Sequence, residues 1–351
     1  MGLPTSTCLK SYYMNNHITI KDIAKALGIS TSTVSRALSD AWDVKRETRD
    51  QVLAMAKKLN YHPNLNAKNL QNKRTGTIGI IIPEFVSSFF PNVVMGIQEV
   101  LYQENYHMFI TQSNESRAQE LDNLRLLREH MVEGIIISTT NEGGNEEAYK
   151  ELIDNGMPLV FFNRCPKTLA APKVLIDDCQ MAEKAVGHLI ETGRRRIIHL
   201  VGPVNLEVSA MRAQGFANAL TSHGLDPEGK CVPAGIFIKD GQAAMEKLLA
   251  EGGELPDAVF CFNDPVAIGA MKALKNAGIR IPQDVAITGF SEGSMATVVE
   301  PQLTTVLQPM KEMGRQAAQL LLDQLKSTRR QAPRTICLDA TLNIRESSVG
   351  K

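Results

Sequence analysis

Residues 19–38 read TIKDIAKALGISTSTVSRAL, and this stretch decides the architecture of the amino-terminal part. Ile20, Ile23, Ala24 and Leu27 recur at helical spacing. Gly28 breaks the pattern: glycine takes the left-handed conformation that ends a helix, and Ser30 is suited to cap the next one. Val34 and Leu38 give that second helix an apolar side, and Val52, Ala56 and Leu59 mark a third over residues 46–59. Three short helices with a tight glycine turn between the first two form a helix-turn-helix layout.

The surrounding composition agrees. The chain has 351 residues, 43% hydrophobic and 22% charged, enough for two or three globular domains. Net charge is zero, yet residues 1–74 hold twelve Lys and Arg against five acids, a surplus of seven that the remainder cancels. A basic head on an acidic body implies that only the head meets a polyanion. The six cysteines are scattered with no CxxC, so neither a metal site nor a dithiol motif is indicated, and no cofactor is expected. No apolar run reaches membrane-span length, and the first residues lack a signal-peptide core; the expectation is a cytoplasmic protein with no membrane partner. Residues 1–16 read as a disordered extension, with Met14 as an alternative start. Residues 63–74 read as a linker in which Ala67 and Leu70 allow a two-turn helix that needs a partner surface to fold.

From Gly76 the texture changes to short β-branched runs: 77–82, 107–112, 134–138, 158–162, 197–201, 235–238, 258–262 and 285–289. Helical stretches separate them: 93–103, 120–130, 181–192, 211–223, 243–251 and 265–277. Continuously apolar strands with helical crossovers mean parallel sheets covered on both faces. Two such series, divided near residue 177, mean two α/β lobes. The tail adds a strand at 304–308, a helix at 311–325 and a final strand at 335–342, which return the chain between lobes.

Several motifs in order carry a resemblance: Thr19–Ala24, Gly28–Ser30, Thr33–Leu38, Tyr61–Asn64, Gly76–Gly79, Arg212–Phe216, Phe262–Asp264, Ala267–Ala270 and Leu303–Val306. Together they resemble the LacI/GalR family of transcriptional regulators. The resemblance implies a small all-α helix-turn-helix head (17–62), a hinge helix (63–74) and a two-lobed α/β body of periplasmic-binding-protein type (75–345). Lobe 1 is expected over 75–176 and 306–334, and lobe 2 over 177–305 and 335–345. It also implies a homodimer or tetramer on double-stranded operator DNA, with the helix at 93–103 and its counterpart in lobe 2 as dimer surfaces, and a small carbohydrate-like effector.

On the head, Thr31 and Ser32 occupy the end of a helix that fits the major groove, and Arg36 reaches a guanine or a phosphate from the next turn. The resemblance makes these three the main sequence readers. Thr19, Ser30, Thr33 and Ser35 are short hydroxyl side chains suited to phosphates. The resemblance adds Tyr61, Asn64, Ala67 and Lys68 at the DNA, and Leu70 as a minor-groove wedge.

Ligands of open α/β lobes favour the carboxyl ends of strands. Candidates there are Phe89, Phe90, Asn163, Arg164, Arg212, Phe237, Asn263, Asp264, Ser291 and Gln308. Aromatic faces stack on a sugar ring, while amides and guanidinium groups bond its hydroxyls. Asn163 and Ser291 stand where the resembling family commonly has acids. With Arg164 and Arg212 kept, the expectation is a cationic pocket favouring a sugar acid or sugar phosphate. Two rival readings are a solute receptor without a DNA role and a serine hydrolase. Gly289–Gly293 matches G-x-S-x-G, but all seven histidines precede Ser291, against the order Ser, acid, His, so no enzyme activity is expected.

Overall fold

The computed structural model describes residues 18–61, 75–166, 168–327 and 332–349. The chain divides into two compact units after Thr75. The expected extension, the hinge helix and its Asn64, Ala67, Lys68 and Leu70 lie outside the described residues.

The first unit holds α1 (Ile20–Leu27), α2 (Thr31–Leu38) and α3 (Arg46–Lys58). The Asp22 carboxylate accepts from the Thr19 amide and hydroxyl, both at 2.8 Å, and closes the start of α1. Gly28, at φ 65°, ends that helix. Ile23, Ala24, Val34, Ala37, Val52 and Ala56 form a core shared by all three helices.

The second unit holds two six-stranded sheets. The first is built from β1 (Thr77–Ile82), β2 (His107–Gln112), β3 (Gly134–Ile137), β4 (Leu159–Phe162), β5 (Lys173–Ile176) and β11 (Thr335–Leu338), ordered β11-β5-β4-β3-β1-β2 and entirely parallel. The second has β6 (Ile197–Val201), β7 (Cys231–Pro233), β8 (Ala258–Cys261), β9 (Ala286–Ser291), β10 (Thr304–Leu307) and β12 (Thr341–Asn343), ordered β12-β10-β9-β8-β6-β7. It is parallel except for the β10/β12 pair. The two orders are the same arrangement built twice. Helices α4 (Phe89–Gln103), α5 (Arg117–Glu129), α6 (Glu146–Asp154) and α11 (Met310–Lys326) accompany the first sheet. Helices α7 (Asp178–Glu191), α8 (Glu207–Ser222), α9 (Ile238–Ala250) and α10 (Asp264–Asn276) accompany the second.

The chain therefore passes between lobes three times: from β5 to α7, from β10 to α11, and from β11 to β12. The tail corrects one expectation. Residues 335–342 are two strands in different sheets, so 335–338 belong to lobe 1. The strand expected at 235–238 is also corrected: Gly235 turns at φ 71°, and the Asp240 carboxylate accepts from the Ile236 and Phe237 amides, making a helix cap there. The strand in that region is β7, a short edge strand.

Glycines lock the helices in pairs. A Cβ at Gly96 of α4 would lie 2.0 Å from the Lys311 carbonyl, and one at Gly314 of α11 would lie 2.0 Å from that of Val93. Gly241 and Gly269 do the same between α9 and α10, and Gly215 brings α8 onto the Cys179 carbonyl of α7. Gly187 on α7 has open space around its Cβ position. Gly96→Ala is therefore expected to destabilise by about 1–3 kcal/mol through overpacking. Gly187→Ala is expected to stabilise by up to about 1 kcal/mol through helix propensity. Denaturant midpoints of the two variants test this, and an unchanged midpoint for Gly96→Ala would mean that the helices separate at no cost.

Candidate functional site

A cavity of about 480 Å³ opens at the carboxyl ends of the strands of both sheets, and all ten residues expected in the cleft line it. Phe89 and Phe90 start α4, and their rings pack edge to face at 5.1 Å. Asn163 and Arg164 follow β4. Phe237 and Asn263 are the residues on which α9 and α10 begin. Asn263 is committed to the fold: its side chain accepts from the Val266 amide and donates to the Ile236 carbonyl. Asn163 (φ 57°) and Ser291 (φ 117°) hold backbone conformations that side chains with a Cβ rarely adopt. Such strain concentrates at binding sites.

Both guanidinium groups are already paired. Arg212, expected near the start of its helix, lies in the second turn of α8, which begins earlier than its apolar periodicity suggests. Its Nε donates to Asp178 at 2.8 Å, its Nη2 lies 2.7 Å from the same oxygen, and its Nη1 donates to the Phe262 carbonyl at 2.6 Å. The guanidinium lies over the rings of Phe290 (3.7 Å) and Phe262 (4.8 Å). Arg164 donates to both oxygens of Glu115, at 2.8 and 3.0 Å, and sits over Phe90 at 5.4 Å. The expectation of a cationic pocket is thus corrected: Glu115 and Asp178 supply the carboxylates that positions 163 and 291 lack. Glu115 and Asp178 pair with the two arginines from outside the lining; the acids of the lining itself are Glu84, whose carboxylate accepts from the Ser87 amide, and Asp264, and Lys239 is a further base there.

Gln308 donates from Nε2 to the Ser291 hydroxyl at 2.9 Å, while its Oε1 and the Oδ1 of Asn163 have no partner among the described residues. Gln308 is only 2% exposed. Unpartnered amide groups at that depth are sites for ligand hydrogen bonds, because leaving them unmet is costly. Asp264 accepts from the Thr305 hydroxyl at 2.5 Å and from the Gly293 amide at 2.7 Å. The neighbouring Ser294 amide donates across the cleft to the Ser88 hydroxyl at 3.2 Å. Among the described residues, no histidine lines the cavity beside Ser291. His199 is a core residue, stacked on Phe260 at 4.6 Å and bonded to its carbonyl.

Sequence reading missed Glu84, Glu115, Asp178 and the apolar wall of Val86, Ile236 and Phe262. Asp178 lies just beyond β5, whose sequence Lys-Val-Leu-Ile begins with a charge and is only alternately buried, so it does not stand out as a continuous apolar run. Had that strand been recognised, the strand-end rule would have pointed to Asp178.

On the head, Thr31, Ser32 and Arg36 are exposed on α2. Arg36 pairs with Asp43. Thr19 and Ser30 are engaged in caps: the Ser30 hydroxyl accepts from the Thr33 amide at 3.1 Å and bonds the Ser32 and Thr33 hydroxyls. Ser35 and Tyr61 are half-buried, with Tyr61 against the head core.

A helix-turn-helix head joined to a two-lobed ligand-binding body defines a class of ligand-responsive DNA-binding regulators. Residues 19–64 match the model of bacterial regulatory proteins of the lacI family, and residues 186–348 match a periplasmic binding protein-like domain. The chain is 34% identical to catabolite control protein A of Priestia megaterium, over 87% of this chain and 92% of that protein. It is 31% identical to the HTH-type transcriptional repressor CytR of Escherichia coli K12, over 91% of this chain and 93% of that protein. Among solved structures, a complex of the transcriptional regulator CelR with cellobiose superposes with a TM-score of 0.72 at 28% identity, covering 94% of this chain and 99% of that one. The chain belongs to the lacI family of bacterial regulatory proteins, a family of DNA-binding transcriptional regulators.

Burial raises the Asp264 carboxyl to about 6 and lowers His199 to about 4. As pH falls, folded Asp264 takes up its proton before the unfolded chain does, which adds stability. His199 acts in the opposite sense, because its unfolded form protonates first. Asp264→Asn removes the stabilising proton uptake of this carboxyl and keeps the opposing effect of the histidine. The melting temperature of that variant is expected to fall more steeply between about pH 6.5 and 4.5 than that of the parent. Equal slopes would show that the folded carboxyl does not protonate in this range.

Proposed function

We propose that this protein is a dimeric, cytoplasmic transcriptional repressor whose hold on a two-fold operator is set by an uncharged, carbohydrate-like ligand in the cleft. The observation that carries the ligand class is the pairing of Arg164 with Glu115 and of Arg212 with Asp178. A ligand anion would meet no unneutralised guanidinium there. Ring hydroxyls instead meet the amide groups of Asn163 and Gln308 and the faces of Phe89, Phe90 and Phe237. The cellobiose complex of a structural relative supports the same class. A receptor without a DNA role does not account for the head, which matches the family's DNA-binding model. Exposed Met95 and Tyr102 on α4 support a dimer through that helix.

Ligand alters the balance between lobe arrangements only through its different affinity for them. In this reading the change reaches DNA through the segment that contains Leu70, which wedges into the minor groove. Thr31, Ser32 and Arg36 read bases, while Tyr61, Asn64, Ala67 and Lys68 complete the contact.

A thermal-shift screen pairing neutral sugars and nucleosides with sugar acids and sugar phosphates tests the ligand class. Neutral compounds are expected to raise the melting temperature; stabilisation by the anions alone would overturn the assignment. Arg212→Ala is expected to abolish the ligand response, and a variant that still responds normally would displace the site from this cleft. Arg36→Ala is expected to weaken operator binding by about 1–3 kcal/mol more than binding to random DNA. Equal losses would reduce Arg36 to a phosphate contact.

A further inference from the structure

Trp42 is the only tryptophan in the chain, and it is 95% exposed. It lies in the turn between α2 and α3, outside the core of the head. That turn is well fixed. The Ala41 amide donates to the Arg36 carbonyl at 3.0 Å, the Val44 amide donates to the Ala41 carbonyl at 3.3 Å, and Arg49 donates to the same carbonyl at 2.8 Å. Arg49 also pairs with Asp40 at 2.6 Å. The turn is thereby folded back on the end of α2, and Asp43, next to Trp42, holds the Arg36 side chain. The indole is thus built in beside the helix that carries Thr31, Ser32 and Arg36, with exposed Lys45 and Arg46 following it.

A large ring left in water on a well-fixed turn is a contact surface awaiting a partner. Asp40 and Asp43 of the turn are neutralised by Arg49 and Arg36, and over residues 18–61 the head holds eight Lys and Arg against five acids, so the partner that fits is a polyanion. In an intact duplex the base faces are stacked away, so a ring beside the recognition helix meets deoxyribose and phosphate. The indole N–H is a donor with no acceptor function, which matches a phosphate oxygen. We infer that Trp42 packs against the sugar–phosphate backbone of bound duplex DNA, with its Nε1–H donating to a phosphate, and so adds affinity without reading sequence. This rests on the DNA-binding reading above and extends it to a residue outside the recognition helix.

Because Trp42 is the single tryptophan, the emission of the full-length protein reports on this site alone. The test uses a 30-bp duplex selected from a random pool and an unselected duplex of the same length. Binding is followed by anisotropy of labelled DNA alongside tryptophan emission. Both duplexes are expected to change the emission on binding. Trp42→Ala is expected to weaken both by a similar factor, roughly three- to tenfold, the loss of one hydrogen bond and its ring contact. Trp42→Phe, which keeps a ring and loses the donor, should fall between the two proteins. Bound duplex with unchanged emission and an Ala variant of parental affinity would overturn the inference and leave the DNA-binding reading intact. A loss confined to the selected duplex would also overturn it, by making Trp42 a base reader. Failure of the parent protein to bind either duplex would overturn the DNA-binding reading itself. Circular dichroism of Trp42→Ala should match the parent, since the ring is not part of the core.

Discussion

The body is organised around one buried charge pair. Arg212 and Asp178 are both almost fully withdrawn from water, and the guanidinium is held between two phenylalanine rings and a main-chain carbonyl. Burial pushes the Asp178 carboxyl up, and the adjacent guanidinium opposes that shift. Removing one member of such a pair leaves an uncompensated charge, a loss of about 3–5 kcal/mol, even where the intact pair contributes little net stability. The location gives the pair its importance. Asp178 opens α7 directly after the first passage between lobes, while Arg212 lies on α8 and reaches the end of β8. One interaction therefore fixes where lobe 2 begins and shapes the floor of the cavity on that side.

A second layer of polar contacts ties that floor to the rim. Asp264 gathers the Thr305 hydroxyl and the Gly293 amide, and the residue after Gly293 reaches Ser88 on the opposite lobe. Gly293 has little room for a side chain, since a Cβ there would stand 2.9 Å from the Ser88 hydroxyl. The two lobes thus touch through small groups at the rim of the cavity. Under the proposed function, a ligand there would share these few atoms with the lobe contact, and its occupancy would reach lobe geometry through them.

Much of this was legible in the residue order because it depends on local periodicity. The runs at 77–82, 107–112 and 197–201 are β-branched and apolar, and they form strands over those same bounds. The glycine and serine punctuation of 28–30 forms the turn and cap that the spacing implies. The strand-end rule collected the cleft residues without any knowledge of distances. Charge balance was not legible. Glu115 and Arg164 are 49 residues apart, and Asp178 and Arg212 are 34 apart, so only the folded sheets bring them together. Short edge strands were lost for a related reason. Three mostly exposed residues such as Cys231–Pro233 carry too little pattern, and their pairing is decided by neighbours distant in the chain.

The interlocked glycines have a mechanical consequence. With helix backbones in direct contact in both lobes, neither layer has slack in which to absorb a push from within. Each lobe then behaves as a stiff plate. Under the proposed function, work done by an incoming molecule would be delivered to the three strips of chain that join the plates, near residues 177, 308 and 339. Stiffness in the plates and compliance confined to three narrow straps would convert a small local fit into a rotation of whole halves.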